Sequence, residues 1–257
     1  MKQRVAALLS LLLLLLVGCS VQSREVQPQT VLQVAVASSL EPVVKQLVWS
    51  YQAEHRDVKI QLTAGPSGAL ARQIEQGAAF DLFLSAGEQE MQQLVQKHLV
   101  AEDTIKKFLA NRLVVVVPEG RRTIKSLEQL KDREYKQIAI ADPTASPAGR
   151  YAKQALEKSG VWQELQPKLA YGKTVRDVLS QVTAEKVQAG IVYRSDAVSD
   201  DKAHIALEID DKLHEPIRYP MAVLKASQHP NTAKDFLDLL ESPKGKDRFE
   251  RAAFQVQ

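Results

Sequence analysis

Four short stretches of this chain carry the residue types that bind anions without using charge. They are Ala37-Ser38-Ser39-Leu40, Gly65-Pro66-Ser67-Gly68, Ser146-Pro147-Ala148-Gly149 and Lys173-Thr174-Val175-Arg176. Each places small or hydroxyl residues where an apolar, strand-like run gives way to a helical pattern. The first turn of a helix leaves backbone N–H groups unpaired and carries partial positive charge, so it attracts anions. Small residues let an anion reach the backbone, and a serine hydroxyl adds a donor. Four such ends converging would surround an anion with neutral donors, with no lysine or arginine required.

The elements that must position these turns follow from periodicity. Val31–Ala37 reads as a strand, and Leu40 to Glu54 as a helix with Leu40, Val43, Val44, Leu47 and Tyr51 on one face. Val58–Leu62 alternates as a strand, Ala69–Gln76 is a helix stopped by Gly77, Asp81–Ser85 is a third strand and Glu88–Lys97 a third helix. Leu113–Pro118 (LVVVVP) is the strongest strand signal, being continuous, β-branched and closed by proline. A second series follows: strand Gln137–Ala141, helices over Arg150–Ser159 and Val175–Ala184, and strands Ala189–Tyr193, His204–Ile209 and Arg218–Leu224. Asn231–Leu240 and Lys244–Ala253 form a helical tail. Alternating strands and helices argue for α/β units with largely parallel sheets. The chain shows no internal repeat.

Composition narrows the function. The 257 residues are 45% hydrophobic and 25% charged, normal for a globular protein, with a net charge of +3. No dense basic stripe is present, which argues against a nucleic-acid partner. Aromatics at 5% offer no stacking platform, and one cysteine excludes an intramolecular disulfide and any cysteine-built metal cluster. The five histidines, at positions 55, 98, 204, 214 and 229, are scattered without metal-ligand spacing and read as surface residues, so no metal site is expected. No G-x-S-x-G, Walker A or G-x-G-x-x-G motif occurs, so catalytic residues and cofactors are expected to be absent.

The N-terminus reads as an address. Lys2 and Arg4 precede an apolar stretch, Ala6 to Gly18, too short to span a bilayer but suited to a signal peptide. Leu16-Val17-Gly18-Cys19 resembles the bacterial lipobox, which implies cleavage of residues 1–18 and lipidation of Cys19, anchoring the protein to a membrane without spanning it. A plain secretory signal with a coincidental cysteine is the alternative. Loss of the leader takes the charge from +3 to +1. Residues 19–30 are polar and aperiodic and read as a flexible tether.

Six stretches together resemble the molybdate-binding proteins of bacterial ABC importers: VAVASSLEPV, GPSGALARQIEQGAAFDLFLSA, LVVVVP, IADPTASPAGRYAKQALEKSGVW, TVRDVLSQV and AGIVYRSDAV. They run through nearly all of Val31 to Val198, in order and at family spacing. The resemblance implies the two-lobed periplasmic-binding-protein fold (type II), two α/β lobes with mainly parallel sheets and a two-strand hinge. Lobe 1 is then expected at 31–117 plus 222–257 and lobe 2 at 118–221. It implies an extracytoplasmic, monomeric protein that captures molybdate, and tungstate with it, and passes it to an ABC permease. The oxyanion-binding positions it implies are Ser39, Ser67, Ala148, Val175 and Tyr193. A binding protein for sulfate or another tetrahedral oxyanion is the alternative, and an envelope lipoprotein that has lost its ligand is a third class. Two departures stand beside the match: Ser38 adds a hydroxyl, and Pro66 removes a backbone donor. Ser38 with Glu41, and Thr174 with Asp177, read as capping pairs, while Arg72, Arg150, Lys173 and Arg176 read as solvated helix faces. Asp81 is expected to organise turns or the hinge.

Overall fold

The structure, a computed structural model, describes residues 30–257. The expected leader, Cys19 and all but the last residue of the tether lie outside the described residues. In chain order the elements are β1 (Thr30–Ala37), α1 (Glu41–Glu54), β2 (Val58–Gly65), α2 (Ser67–Glu75), β3 (Leu82–Leu84), α3 (Glu88–Gln96), β4 (Leu109–Ala110), β5 (Leu113–Pro118), β6 (Ile138–Ala141) and α4 (Pro147–Lys158). They continue with α5 (Trp162–Leu165), β7 (Leu169–Gly172), α6 (Val175–Thr183), β8 (Ala189–Tyr193), α7 (Arg194–Ala197), β9 (Ala203–Glu208), β10 (Met221–Val223), α8 (Pro230–Glu241), α9 (Pro243–Arg251) and β11 (Gln255–Val256).

Two sheets organise the chain. The first has the order β10-β3-β1-β2, the second β7-β6-β8-β5-β9. Within the first, β1 runs parallel to both β2 and β3, and β10 joins antiparallel. In the second, β6 is parallel to β7 and β8, whereas β5 is antiparallel to β8 and β9. Both sheets are therefore mixed, with four parallel pairings against three antiparallel ones. The antiparallel pairs are made by β5 and β10, each just beyond a segment that leads from one sheet to the other, where the chain enters against the direction of its neighbours.

Helices form where apolar residues recur every three or four positions, and they bury that face. In α1 the buried residues are Val43, Val44, Leu47, Val48 and Tyr51. The continuous apolar run of β5 is explained by its position: it lies inside the second sheet and all six residues are buried. Helix α6 opens with the expected capping box, the Thr174 hydroxyl accepting from Asp177 N–H and the Asp177 carboxylate accepting from Thr174 N–H. Ser38 forms no such cap. The N-cap of α1 is Leu40, without a side-chain bond, because Leu40 N–H already turns back onto the Ala37 carbonyl and places Ser38 inside that turn.

The strand LVVVVP, expected to close the first lobe at residue 117, hydrogen-bonds into the second sheet instead. The crossing lies earlier, where residues 106–111 run antiparallel beside 217–221 through bridges Lys106–Met221 and Ala110–Arg218. Asn111 N–H donates to Ile217 C=O and Tyr219 N–H to Leu109 C=O, completing a two-strand link between the sheets. Only Met221–Val223 of the expected strand Arg218–Leu224 joins the first sheet; residues 218–220 belong to the crossing, and Leu224 follows the strand with a bridge to Val100. The C-terminal β11 pairs with β4 and covers this link, and Phe108, Phe249, Phe254 and Tyr219 pack edge to face beneath it. Asp81 ties in the returning chain, its carboxylate accepting from Gln33 N–H and the Ser227 hydroxyl and its carbonyl from Leu224 N–H.

Helix α4 starts so close to the end of β6 that a Cβ on Gly149 would lie 2.2 Å from the Ala141 carbonyl oxygen, a backbone atom that cannot step aside. Gly149→Ala is expected to destabilise the protein by about 2 kcal/mol or more, read as a lower midpoint in chemical denaturation.

Candidate functional site

Strands β1, β2, β6 and β7 each run into a turn and then a helix, and the expected anion-binding residues sit in these turns. Ser39 lies between β1 and α1, Ser67 is the first residue of α2, Ala148 the second of α4 and Val175 the first of α6. Tyr193 is the last residue of β8. All five are buried, with exposures of 6%, 0%, 2%, 2% and 1% in that order. Among the described residues, the backbone N–H groups of Ser39, Ser67, Ala148 and Val175 have no acceptor. Around them, Ser38 N–H bonds Gly65, Leu40 bonds Ala37, Gly68 bonds Ala145, Arg150 bonds Ser146 and Asp177 bonds Thr174, while Gly149 and Arg176, in the same first turns, also have no acceptor. Unpaired N–H groups at a helix start are ordinary when water can reach them, but costly on buried residues, at roughly 1–3 kcal/mol each.

Short contacts join several of these positions. Ala86 N–H donates to Ser67 Oγ at 2.9 Å, which uses an oxygen lone pair and leaves the hydroxyl proton available. Tyr193 Oη reaches the carbonyl of the same Ala86 at 3.5 Å, the outer limit of a hydrogen bond. Ser39 Oγ stands 3.4 Å from Tyr219 Oη, and the Tyr219 and Tyr193 rings meet edge to face at 5.8 Å. Gly68 N–H donates to Ala145 C=O, which brings the start of α2 against the turn leading into Ala148. Val175 makes no contact of this kind. It is placed by the sheet, since β6 and β7 are parallel with Ala141 opposite Gly172, so α4 and α6 start from the same edge.

No charged side chain belongs to this set. Arg150, expected on a solvated face, instead makes a two-pronged ion pair with the buried Glu90 of α3, at 2.6 and 2.9 Å. The pair joins helices of different sheets and neutralises both charges. Arg72, Lys173 and Arg176 are exposed. His214, expected at the surface, is buried, because its Nδ1 lies 2.7 Å from the Glu215 carbonyl and its ring faces Tyr151. Among the described residues no group of three His, Cys, Asp or Glu could hold a metal ion, and no helix is long and apolar enough to cross a membrane.

Three polar residues beside the site had no sequence signal: Asn111, Tyr219 and Asp196. Asn111 and Tyr219 come from the two crossing segments and meet at 3.0 Å. Tyr193 and Tyr219 have phenols held well above their ordinary pKa by burial, so both keep their protons.

Comparison with known proteins matches this architecture. The family model described as bacterial extracellular solute-binding protein covers residues 32–255. The chain belongs to that family. It is 35% identical over 247 residues to a Bacillus subtilis (strain 168) protein named "Putative ABC transporter substrate-binding lipoprotein YvgL", covering 95% of this chain and 94% of that one. It is 34% identical over 229 residues to the molybdate-binding protein ModA of Escherichia coli (strain K12), covering 87% and 88%. The solved periplasmic molybdate-binding protein of Azotobacter vinelandii superposes with a TM-score of 0.79 at 20% identity, over 88% of this chain and 99% of that one. The fold is thus the two-lobed periplasmic-binding-protein type, and the sheets described above are its two lobes.

Asp196 of α7 gives a prediction about stability. Its Oδ2 is buried without a partner, and burial, against a weaker pull from Arg176, pushes its carboxyl up to about 7 from an ordinary 3.8. A raised carboxyl means that the folded protein holds the proton more tightly than the unfolded chain, so stability falls as pH rises from about 4 to about 7 and is level above that. The shift corresponds to a loss on the order of 4 kcal/mol. Asp196→Asn is expected to raise the melting temperature by several degrees at pH 8 and to leave it unchanged at pH 4, as read by thermal melts across that range.

Proposed function

We propose that this protein is the extracytoplasmic receptor of an oxyanion importer, binding molybdate, and tungstate with it, in the cleft between its lobes. The observation that carries the reading is the set of four unpaired N–H groups on buried residues at Ser39, Ser67, Ala148 and Val175, flanked by the hydroxyls of Ser39, Ser67 and Tyr193. Such a set offers protons and no negative charge, so it suits a ligand made entirely of acceptor oxygens. The relatives named for molybdate support the same choice. A fully ionised tetrahedral dianion needs no acceptor from the protein. Phosphate, which keeps a proton near neutrality, would present a donor for which these five positions provide no carboxylate, only hydroxyl oxygens.

The lobes would close by population shift, because the donors are divided between them. Ser39 and Ser67 belong to the first, Ala148, Val175 and Tyr193 to the second. The Gly68–Ala145 hydrogen bond and the Glu90–Arg150 pair hold the lobes together at the rim. From there the protein would hand the anion to a membrane permease, itself tethered through a lipid on Cys19. The protein carries out capture and delivery in this reading, with no bond made or broken in the ligand.

Calorimetric titration of the purified protein with molybdate, tungstate, sulfate and phosphate tests the reading. One-to-one binding of molybdate and tungstate, with sulfate and phosphate far weaker, is expected. Preferred binding of sulfate would reassign the ligand and keep the cleft; no binding of any oxyanion would overturn the proposal. Ser39→Ala and Tyr193→Phe each remove one hydrogen bond to a charged ligand, about 1.5–3 kcal/mol, so molybdate binding is expected to weaken roughly 10- to 100-fold. Glu90→Gln removes the charge partner of Arg150 at the rim, and stopped-flow release of molybdate is expected to accelerate several-fold.

A further inference from the structure

We infer that Asn111 and Tyr219, neither of them among the five donor positions, are positioning residues that commit the hydroxyl proton of Ser39 to the bound anion. The inference rests on the oxyanion-binding reading above and concerns how one of its donors is oriented.

The argument is a matter of which atoms carry protons. Arg112 N–H lies 2.9 Å from Asn111 Oδ1, and a backbone N–H can only donate, so the amide oxygen must face it. Asn111 Nδ2 is thereby turned the other way. Its two protons point at Ser195 Oγ, 2.8 Å away, and Tyr219 Oη, 3.0 Å away. Tyr219 Oη therefore accepts. Its own proton stays in place, since the side chain is fully buried and burial raises the phenol well above its ordinary range. A buried hydroxyl proton needs an acceptor. The remaining oxygen in contact with Tyr219 Oη is Ser39 Oγ, at 3.4 Å.

The distance between two hydroxyls allows either one to donate; here the amide decides. With Tyr219 donating to Ser39 Oγ, Ser39 cannot return its proton along the same line, and that proton turns into the cleft. The sequence of donors is then Asn111 to Tyr219, Tyr219 to Ser39, and Ser39 to the anion. Ser39 is fixed as a donor before any ligand arrives, which favours anions that present only acceptors and spares the ligand the cost of reorienting it. Asn111 and Tyr219 sit on opposite crossing segments, whose backbones are hydrogen-bonded to each other. The orientation is therefore set at the hinge, on atoms close to the axis about which the lobes would move.

The test is a double-mutant cycle read as the dissociation constant for molybdate at pH 8, with unliganded thermal melts as the folding control. Asn111→Asp keeps the acceptor for Arg112 N–H but replaces the amide donor by an acceptor. Tyr219 then gives its proton to the carboxylate and takes one from Ser39, so Ser39 presents lone pairs to the anion. Binding is expected to weaken at least 100-fold. Tyr219→Phe alone removes the intermediary but leaves the Ser39 proton free for the anion, and binding is expected to stay within about fivefold of the parent protein. The decisive variant is Asn111→Asp combined with Tyr219→Phe. With no phenol to carry the reversed polarity, it is expected to bind at least tenfold more tightly than Asn111→Asp alone, although the added charge remains.

A merely structural or electrostatic role for Asn111 makes the combined variant no better than the single one, and that result overturns the inference. So does a Tyr219→Phe protein as impaired as Asn111→Asp. If Asn111→Asp does not fold, the same cycle with Asn111→Ala serves: it frees Tyr219 to accept from Ser39, weakening binding about tenfold, and adding Tyr219→Phe restores it or the inference falls. The unaltered protein separates the two levels of the argument. Binding of molybdate without the rescue sinks only the relay, whereas absence of binding to any oxyanion sinks the functional reading and the relay with it.

Discussion

The structure turns on an obligation that every helix carries and this chain concentrates. The first N–H groups of a helix have no partner within it, and most proteins leave them to water or to a capping side chain. Here four strand-to-helix turns put such groups on buried residues, at Ser39, Ser67, Ala148 and Val175. Parallel strands make this possible: β1 and β2, and β6 and β7, run side by side, so the helices that follow them begin at a common edge. The exact start of a helix within its turn is then fixed by local rules, as in the Thr174–Asp177 box, or by close approach, as at Gly149. The donors are cheap to build from backbone and expensive to leave alone.

The hinge is the second constraint, and it is tied to the first. The two crossing segments are paired by backbone hydrogen bonds and covered by β11 and an aromatic cluster, so they form a packed unit rather than a loose linker. Asn111 and Tyr219 project from this unit toward Ser39. A group held at the hinge changes position least when the lobes move relative to one another. That makes it a suitable place from which to orient a donor that has to be correct in both arrangements. Asp196, also buried with an unpartnered oxygen, is the polar group from which a cost to stability above pH 7 is expected.

How much of this could be read from the chain depends on the range of the interaction. The helix starts were legible because Gly-Pro-Ser-Gly and Ser-Pro-Ala-Gly interrupt apolar runs, and the Thr174–Asp177 cap because three-residue spacing is local. Ser38 with Glu41 has the same spacing and no cap, since the backbone turns at Leu40 before the helix begins. The spacing says which side chains could meet and not where the first helical residue falls. Leu113–Pro118 was evident as a strand, but its sheet was not: a run buried on both faces is compatible with the interior of either one. Glu90 and Arg150 are separated by 60 residues, and Asn111 and Tyr219 by 108, so nothing in the local pattern of one announces the other. Arg150 reads as an exposed helix position until its partner arrives from the other lobe.

In the proposed role, the unpaired donors and the rim contacts act in opposite senses, and that opposition makes closure conditional. The Glu90–Arg150 pair and the Gly68–Ala145 bond favour lobes in contact whether or not a ligand is present. The four unpaired N–H groups on buried residues oppose it, each by roughly 1–3 kcal/mol where neither acceptor nor water reaches it. Moving a two-state equilibrium from 1:99 to 99:1 requires about 5.5 kcal/mol, which is within what satisfying several such groups can supply. An anion that reaches all of them removes the opposing term and leaves the rim contacts unopposed. An anion too small to span the set, or one that brings a proton of its own, satisfies only part of it and leaves the remainder as a penalty on the closed form. Selectivity and closure then have the same physical origin, and neither needs a charged residue in the cleft.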